Sequence, residues 1–445
     1  MQHSVKPRKV HLGDFVFDYP ILALAPMVGQ CDRPFRELCR KYRTSLCYTE
    51  MLKAEEIAYN DRYFQDALAN YEEGALLVQL CTRNAQAFTD ACLRLEALGG
   101  GIIGVDLNLG CPQQRAKDGG YGAYLAEESY DLCCDIIRAG RRKIKSKKFV
   151  ITAKIRLHPN NKTLTFAKKL QDAGVSAIAL HARFRGRMDA RRDGAADLSV
   201  VKELKSRLSI PVLSNGNVRC AQDVLTNLSY TQADGVLVAE ELLRNPSLFS
   251  FEQRDSSLSI SSCTRVQLLG EYLDLCASLD HLVPRKDNSL RHTQGNLMRA
   301  PTPDTNSTSK LCRYSNWWPN IECIKHHCKQ IIQSDPAIPV DLFSRNTYRK
   351  ATCPVLLDAY LRKRLRLPPP STLFNKHLVS NGSFSSPLNN IVFTFTPREE
   401  EEEEDASLYD ALVDADGKPV PHTPVDDIFA SWHFLFGDTD DDQAS

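Results

Sequence analysis

A cysteine beside the end of an apolar run is the residue of this chain best suited to chemistry. Cys111 stands in the run Asn108-Leu109-Gly110-Cys111-Pro112, directly after the apolar stretch Gly104–Leu107. Enzymes with α/β folds place their reacting groups where strands end, and a protonated thiol can serve as a general acid. Free cysteine is also among the most buried residue types, so the motif alone leaves a packing role for Cys111 open.

Polar residues of this kind need elements that bring them together, and the chain has a repeating set of such elements. Eight short apolar runs, most of them continuously apolar, alternate with helical patterns; continuous apolar runs are typical of parallel strands covered on both faces. Eight strand–helix units over roughly 240 residues predict a TIM (β/α)8 barrel. A doubly wound open sheet is the alternative, disfavoured because no GxGxxG motif follows the first run. The runs are Ile21–Ala25, Ser45–Thr49, Ala75–Leu80, Gly104–Leu107, Phe149–Ile155, Ala177–Leu180, Pro211–Ser214 and Gly235–Val238.

A barrel of this kind carries its functional residues at the carboxyl ends of the strands. Lys154 is informative because it lies within an otherwise apolar run, and an unpaired ammonium is costly to bury. A histidine such as His181 is more often a hydrogen-bonded core residue, and Asn215-Gly216 alone is an ordinary turn. A ring of polar groups nevertheless predicts a cofactor site at the barrel mouth. The polar residues at or after the runs are Glu50, Gln79, Asn108, Cys111, Lys154, Arg156, His181, Arg183, Asn215, Asn217 and Glu240.

Composition and charge narrow the class of protein. No stretch approaches the roughly 20 apolar residues of a membrane span, and Met1–Val10 is polar and basic, unlike a signal core. We therefore expect no membrane association, reduced thiols, and a cytoplasmic protein with the nucleus as a second compartment. Residues 397–445 contain two basic and 16 acidic side chains, a net charge of −14, which leaves +15 on residues 1–396. A basic body with an acidic tail predicts a polyanionic partner, most commonly nucleic acid.

The chain beyond the eighth run is predicted to be helical, with helices over 263–283, 321–332 and 355–365. Residues 284–316, rich in Asn, Ser, Thr and Pro, predict a disordered insertion. The two cysteines and two histidines within residues 323–328 match no standard zinc spacing, so no metal site is predicted. The division that follows is an N-terminal extension (1–19), a barrel (20–255), a small helical domain (256–370) and a disordered acidic tail (371–445).

Seven short motifs occur in a fixed order over about residues 20–250, and together they resemble the tRNA dihydrouridine synthase family. Ala239-Glu240 and the segment Asn245–Phe249 are similar to the eukaryotic branch that acts on the D-loop uridines at tRNA positions 16 and 17. The motifs are Leu24-Ala25-Pro26-Met27, Val78-Gln79-Leu80, Asn108-Leu109-Gly110-Cys111-Pro112, Lys154-Ile155-Arg156, His181-Ala182-Arg183, Asn215-Gly216-Asn217 and Ala233-Asp234-Gly235-Val236.

The resemblance implies an FMN enzyme that reduces uridine in tRNA to 5,6-dihydrouridine with NADPH or NADH. We expect the protein to act as a monomer.

 The roles it implies for individual residues are carried over motif by motif. Cys111 would donate the proton, Asn108 would lie beside the substrate uracil, and Arg156 and Arg183 would contact the substrate. The flavin would be lined by Pro26, Met27 and Val28, contacted at its rings by Gln79, Lys154 and His181, and held at its phosphate end by Asn215, Gly216, Asn217, Ala239 and Glu240.

The chain departs from the family pattern after His181-Ala182-Arg183. Where the family continues with threonine and a glutamine-containing loop, this chain has the basic segment Phe184–Arg192. Two alternatives therefore stay open at this point. One is an RNA-binding paralogue that has lost catalysis, and the other is an FMN barrel that reduces a small substrate such as a free pyrimidine. The intact Cys111, Lys154 and His181 favour a working enzyme, and the basic body favours an RNA substrate.

Overall fold

Eight parallel strands close into a barrel in the computed structural model. The structure describes residues 8–68, 74–186, 194–254, 257–260, 264–279, 321–332, 342–343, 348 and 354–368. The strands are β1 Lys9–Leu12, β2 Phe15–Asp18, β3 Ile21–Leu24, β4 Leu46–Tyr48, β5 Leu52–Lys53, β6 Leu76–Cys81, β7 Ile102–Leu109, β8 Val150–Arg156, β9 Ile178–His181, β10 Val212–Asn215, β11 Gly235–Val238, β12 Phe251–Arg254 and β13 Ser257–Ile260.

Helices follow most of the barrel strands and surround the barrel. They are α1 Arg33–Lys41, α2 Ala54–Tyr59, α3 Asp61–Leu68, α4 Ala85–Leu98, α5 Gln114–Asp118, α6 Ala123–Glu128, α7 Tyr130–Lys143, α8 Thr163–Ala173, α9 Leu198–Arg207, α10 Ala221–Thr231, α11 Glu240–Arg244, α12 Arg265–Leu279, α13 Ile321–Ile332 and α14 Pro354–Leu365, with a short 3-10 turn at Pro159–Asn161. No helix within these described ranges is both long and apolar enough to cross a membrane.

The predicted TIM barrel is confirmed. The barrel order is β3, β4, β6, β7, β8, β9, β10 and β11, and β11 closes the ring by pairing in parallel with β3, from Gly235 opposite Ile21 to Val238 opposite Leu24. Each of these strands lies within two residues of a predicted run. The short β5, which extends the sheet beside β6, and the hairpins β1–β2 and β12–β13 were not predicted, because none of these strands forms a continuous apolar run.

The N-terminal hairpin closes one end of the barrel. Its buried side chains Val10, Leu12 and Phe17 join an apolar cluster inside the barrel that includes Ile21 and Leu213. Because side chains alternate along a strand, the inward positions change character along each strand. On β8, for example, they pass from Val150 through Thr152 to Lys154. The hairpin end of the barrel is therefore apolar, and the opposite end is polar.

Local capping decides where the helices begin. The Asn84 side chain caps α4 by accepting hydrogen bonds from the backbone N–H groups of Gln86 and Ala87. Between residues 123 and 143 the chain forms two helices, α6 and α7. Ser129 separates the two helices: its backbone is extended, and its hydroxyl accepts from the Leu132 N–H to start α7.

The helical extension after the barrel contacts α1 through a buried carboxylate. The Asp32 carboxylate accepts a hydrogen bond from the Tyr272 hydroxyl at 2.8 Å and lies 3.2 Å from His327 Nε2, whose ring stacks on Phe35. Burial alone would raise the pKa of Asp32, but the His327 charge and the hydrogen bonds from His327 and Tyr272 outweigh it and lower the pKa. The predicted helices of this region are confirmed as α12, α13 and α14. The predicted insertion (284–316) and acidic tail lie outside the described residues.

Gly235→Ala is expected to destabilise the barrel at its closure. A Cβ at this position would lie 2.2 Å from the backbone oxygen of Ile21, so the paired strands would have to move apart. We expect the free energy of unfolding to fall by an amount at the upper end of the roughly 1–3 kcal/mol that overpacking costs. Urea unfolding measures the change.

Gly270→Ala is the matched control. Gly270 lies within helix α12, and among the residues that the structure describes its Cβ would meet only the side chain of Leu367, at 3.3 Å. Alanine favours helix by about 1 kcal/mol. We expect its unfolding free energy to stay within about 1 kcal/mol of the wild type. Equal unfolding midpoints for the two variants would contradict the role of Gly235.

Candidate active site

The polar residues singled out in the sequence converge at one end of the barrel. Gln79, Asn108, Lys154, His181 and Asn215 all lie in the carboxyl-terminal halves of their strands, and Cys111 follows two residues after β7. Because parallel strands all end at the same rim, these side chains share the mouth opposite the N-terminal hairpin. The sequence therefore identified the end of the barrel at which the site forms.

The position of Cys111 is fixed by the side chain of Asn108. Asn108 Oδ1 accepts hydrogen bonds from the backbone N–H groups of Gly110 at 3.1 Å and Cys111 at 2.9 Å. Asn108 Nδ2 donates to Gln79 Oε1 at 2.8 Å. Among the cysteines in the described part of the chain, only Cys111 and Cys220 are not buried. Cys111 is thus an accessible thiol held by a hydrogen-bonded turn.

The loop that follows Cys111 supports the cysteine from the other side. Gly122 has φ +68°, and a Cβ there would lie 2.8 Å from the Cys111 backbone oxygen. That oxygen accepts a hydrogen bond from the Ala123 N–H at 3.1 Å, and the Tyr124 hydroxyl donates to the Pro112 oxygen at 2.9 Å. Glycine at position 122 is therefore required for the close approach of the two segments.

Asp106 is the main residue of the mouth that the sequence analysis missed. It is fully buried, and its carboxylate accepts from Gln79 Nε2 and Thr152 Oγ1 at 2.7 Å each. Burial raises the pKa of Asp106 to about 6, although those two hydrogen bonds and the nearby charge of Lys154 lower it. The available signal was a carboxylate inside an apolar run, two residues before Asn108 and so on the same strand face.

Lys154 is the half-buried cation of the site. Burial lowers the pKa of Lys154 to about 8, and repulsion from Arg156 adds to the effect, while Asp106 opposes it. The Asp106 carboxylate therefore compensates part of the positive charge of Lys154 through space. Lys154 can therefore offset negative charge on a group bound at the mouth.

The turn after β10 forms a close-fitting cradle. Gly216 has φ +131°, and a Cβ there would lie 2.6 Å from the Ala196 Cβ. Asn215 Nδ2 donates to the Leu237 oxygen at 2.6 Å. The Asn217 side chain is bound to the backbone of Ala196, donating to its oxygen and accepting from its N–H at 2.9 Å each. Any contact of Asn217 with a ligand would therefore come from its backbone.

Two arginines predicted to contact the substrate also brace the loops of the mouth. Arg156 Nε donates to the Gly110 oxygen at 2.8 Å, and its NH1 group donates to the Phe184 oxygen at 3.0 Å. Arg183 donates to the Gly194 oxygen and to Asn217 Oδ1, and its NH1 group lies 3.0 Å from His181 Nε2.

The segment that departs from the family pattern contacts helix α6, which follows the loop after Cys111. Arg185 forms a double hydrogen bond with the Glu127 carboxylate and lies over the Tyr124 ring. Phe184, next to it, exposes 48% of its surface. Residues 187–193 lie outside the described part of the chain. The described start of this segment therefore supports the loop between Cys111 and α6.

The remaining predicted site residues lie beside the same mouth. Pro26, Met27 and Val28 follow β3, and Ala239 and Glu240 connect β11 to α11. In the loop after Val28, the Gly29 N–H donates to Glu50, and burial raises the pKa of that carboxyl. The cofactor and substrate roles of all these residues stay predictions.

The Cys323 and His327 side chains approach Asp32, with possible ligand atoms within 4.8 Å of one another. These three residues lie where the helical extension contacts α1, apart from the barrel mouth. The hydrogen bonds already made by Asp32 account for its burial there.

Comparison with known proteins identifies the family. A model of the dihydrouridine synthase (Dus) family matches residues 23–293. The chain belongs to the dihydrouridine synthase family. The match runs from within β3, the first barrel strand, to beyond α12, in agreement with the resemblance seen in the motifs.

The relatives carry names from two branches of this family. A rat protein named tRNA-dihydrouridine(16/17) synthase (NAD(P)(+))-like is 35% identical over 256 residues, which cover 57% of this chain and 55% of the relative. A Schizosaccharomyces pombe protein with the 16/17 name is 34% identical and is covered to 61%, against 54% of this chain. A mouse protein named for positions 20a/20b is 34% identical, with 51% of this chain and 68% of the relative covered. The chain thus spans little more than half the length of the first two.

Arg156→Ala is expected to loosen the segment that follows Phe184. The variant removes the guanidinium that joins the Gly110 and Phe184 oxygens, and one hydrogen bond from a charged donor corresponds to a roughly tenfold change in local opening. Trypsin should therefore cleave between residues 185 and 192 about tenfold faster than in the wild type. Mass spectrometry of timed digests measures the rate.

Arg138→Ala is the control, because Arg138 pairs with Asp135 on the exposed face of α7. We expect it to leave cleavage between residues 185 and 192 unchanged. Wild-type cleavage in the Arg156 variant would show that this arginine does not hold the segment.

Proposed function

We propose that this chain is a flavin-dependent tRNA dihydrouridine synthase that reduces the carbon 5–carbon 6 double bond of uridine. The carrying observation is the accessible Cys111 thiol, held by Asn108 and Gln79 at a barrel mouth that also contains the half-buried cation Lys154. Membership in the dihydrouridine synthase family and the names of the relatives support the same reaction.

The residues at the mouth fit FMN. The turn at Gly216, where a side chain would collide with Ala196, would offer its backbone N–H groups to a phosphate. Lys154 supplies a positive charge where the reduced isoalloxazine would be anionic, and Gln79 and His181 supply hydrogen-bonding groups. Asn215, Ala239 and Glu240 would complete the phosphate end, and Pro26, Met27 and Val28 would line the ring. When bound, FMN supplies a hydride to carbon 6 and is itself reduced by NADPH or NADH.

The protein would supply the proton and the orientation. Addition of hydride to carbon 6 leaves negative charge on the uracil, and a proton must reach carbon 5 to complete the reduction. The Cys111 Sγ–H is the accessible acid at the mouth and donates that proton, leaving a thiolate that solvent reprotonates. Asn108 keeps an N–H available beside the thiol to bind a uracil oxygen, and Arg156 and Arg183 would contact the RNA.

We infer that the substrate is a D-loop uridine of tRNA at position 16 or 17. Ala239-Glu240 and Asn245–Phe249 support this branch, as do the names of the rat and S. pombe relatives. A uridine must leave its stack to reach a barrel mouth, which costs least in a loop. The basic body would attract the phosphates, and the protein would act as a monomer in the cytoplasm or nucleus.

Lys154→Met is expected to weaken FMN binding. Loss of a charge-assisted hydrogen bond costs about 1.5–3 kcal/mol, so the FMN dissociation constant should rise roughly 10- to 100-fold. Titration of the flavin-free protein with FMN, followed by fluorescence quenching, measures it.

Lys169→Met is the matched control, because Lys169 pairs with Asp131 on the outer surface. It should bind FMN as the wild type does. A folded wild-type protein that takes up no FMN would rule out the flavoenzyme and favour an RNA-binding protein without catalysis.

Cys111→Ala is expected to stop turnover while FMN stays bound. A general acid contributes about 100- to 10,000-fold to rate, and reoxidation of the reduced flavin by tRNA should slow by a factor in that range. Reduction by NADPH should continue, because it does not use the thiol. Stopped-flow absorbance follows both half-reactions.

Cys220→Ala serves as the control, since Cys220 is the other accessible cysteine in the described part of the chain. It should reoxidise at the wild-type rate. Wild-type reoxidation in Cys111→Ala would exclude Cys111 as the proton donor. Mapping dihydrouridine in the product tRNA by mass spectrometry tests positions 16 and 17, and activity on free uracil alone would favour a small-substrate reductase.

A further inference from the structure

Asp106 is a buried carboxylate to which the proposed reaction assigns no step. It lies inside the barrel with no solvent exposure, on β7, two residues before Asn108. Both of its oxygens are used, one by Gln79 Nε2 and one by Thr152 Oγ1. A fully buried carboxylate is costly, so its two hydrogen bonds call for an explanation beyond packing.

The carboxylate determines which way the neighbouring amides point. An ionised carboxylate only accepts hydrogen bonds, so Gln79 must turn its NH2 group toward Asp106 and its oxygen toward Asn108. The Asn108 NH2 group then faces Gln79 Oε1 at 2.8 Å. As a result Asn108 Oδ1 faces the backbone N–H groups of Gly110 and Cys111.

The opposite orientation of the two amides would disrupt the series of hydrogen bonds that runs from Asp106 to the Cys111 turn. With Gln79 reversed, its NH2 group would face the NH2 group of Asn108, two donors with no acceptor between them. If Asn108 reversed as well, its NH2 group would meet the N–H groups of Gly110 and Cys111. The first arrangement places two donors face to face, and the second removes the acceptor that holds the turn containing Cys111.

We propose that Asp106 is a positioning residue, which acts through Gln79 and Asn108 to hold the Cys111 turn in its reactive position. The proposal rests on the proposed function for the role of the thiol. The positioning itself is a property of the folded protein and can be measured without tRNA or turnover.

The charge state of Asp106 matters for this role. The groups that face it are Gln79 from β6, Thr152 and Lys154 from β8, and Tyr48 from β4. Protonation would convert one acceptor oxygen into a donor, which competes with Asn108 for Gln79 Oε1. Burial raises the pKa of Asp106 to about 6, so the carboxylate is ionised above that pH. Below that pH it no longer fixes the orientation of the Gln79 and Asn108 amides.

The first experiment compares thiol reactivity in Asp106→Leu and Asp106→Asn. The holoprotein is treated with iodoacetamide at one pH, and the Cys111 peptide is quantified against the Cys220 peptide. Leucine has no acceptor for Gln79, so Cys111 alkylation should change several-fold, with Cys220 unaffected. Asparagine, like a protonated carboxyl, has one acceptor and one donor, so it no longer forces the Gln79 orientation, and Cys111 alkylation should change in the same direction as in Asp106→Leu.

Asp234→Asn is the matched control. Asp234 is also a buried carboxylate, but it lies just before β11 at the hairpin end, paired with Arg8 and Lys205. Its variant should leave Cys111 alkylation unchanged. Wild-type Cys111 reactivity in a folded Asp106→Leu protein would overturn the proposal.

The second experiment uses the pH dependence of flavin reoxidation by tRNA in a single turnover, between pH 5 and 8. The wild-type rate should fall as the pH drops through about 6, where Asp106 takes up its proton. Asp106→Asn should lack this fall, because asparagine does not titrate; an unchanged fall would overturn the proposal.

The two experiments also separate this proposal from the proposed function. If Asp106→Leu does not fold, the Asp106→Asn profile decides. If the wild-type protein does not reduce tRNA, the proposed function fails, and the alkylation comparison alone still tests the positioning.

Discussion

Compensation of buried charge at the barrel mouth is the constraint on which the active site depends. Asp106 and Lys154 both lie inside the barrel, where an unpaired charge is costly. The carboxylate is satisfied by Gln79 and Thr152, and those partners then have fixed orientations. The arrangement of Asn108 and Cys111 follows from them, since each amide in the chain has one donating and one accepting side. The buried charge of Asp106 is destabilising by itself, but the hydrogen bonds that compensate it fix the orientations of the side chains at the mouth.

The barrel can hold these polar groups because its opposite end is closed and apolar. The N-terminal hairpin contributes Val10, Leu12 and Phe17 to the apolar cluster inside the barrel. Close contacts between strands at Gly104 and Gly235, where a Cβ would meet the backbone of the neighbouring strand, allow the ring to close. The cost of burying polar groups at one end is thus offset by dense apolar packing at the other.

Arginines join the loops of the mouth. Arg156 links Gly110, in the turn before Cys111, to Phe184, and the neighbouring Arg185 binds Glu127 on α6. A guanidinium has several N–H groups in a rigid plane and can bind two acceptors at once. This explains how a strongly basic segment can replace the usual family sequence after Arg183 while the cysteine turn keeps its supports.

The sequence by itself determined the eight strands, the barrel and the end at which the site lies, because continuous apolar runs and their polar ends depend on local order along the chain. It also identified Cys111, Asn108 and Lys154 as neighbours, since parallel strands end at one rim. The break between α6 and α7 depended on a single capping contact, and the N-terminal hairpin is built from strands without a continuous apolar run. Only the tertiary structure decided that Asp106 joins the site and that Arg156 braces two loops. Those contacts depend on which side chains meet across strands 27 to 46 residues apart, and strand pattern alone does not specify such meetings.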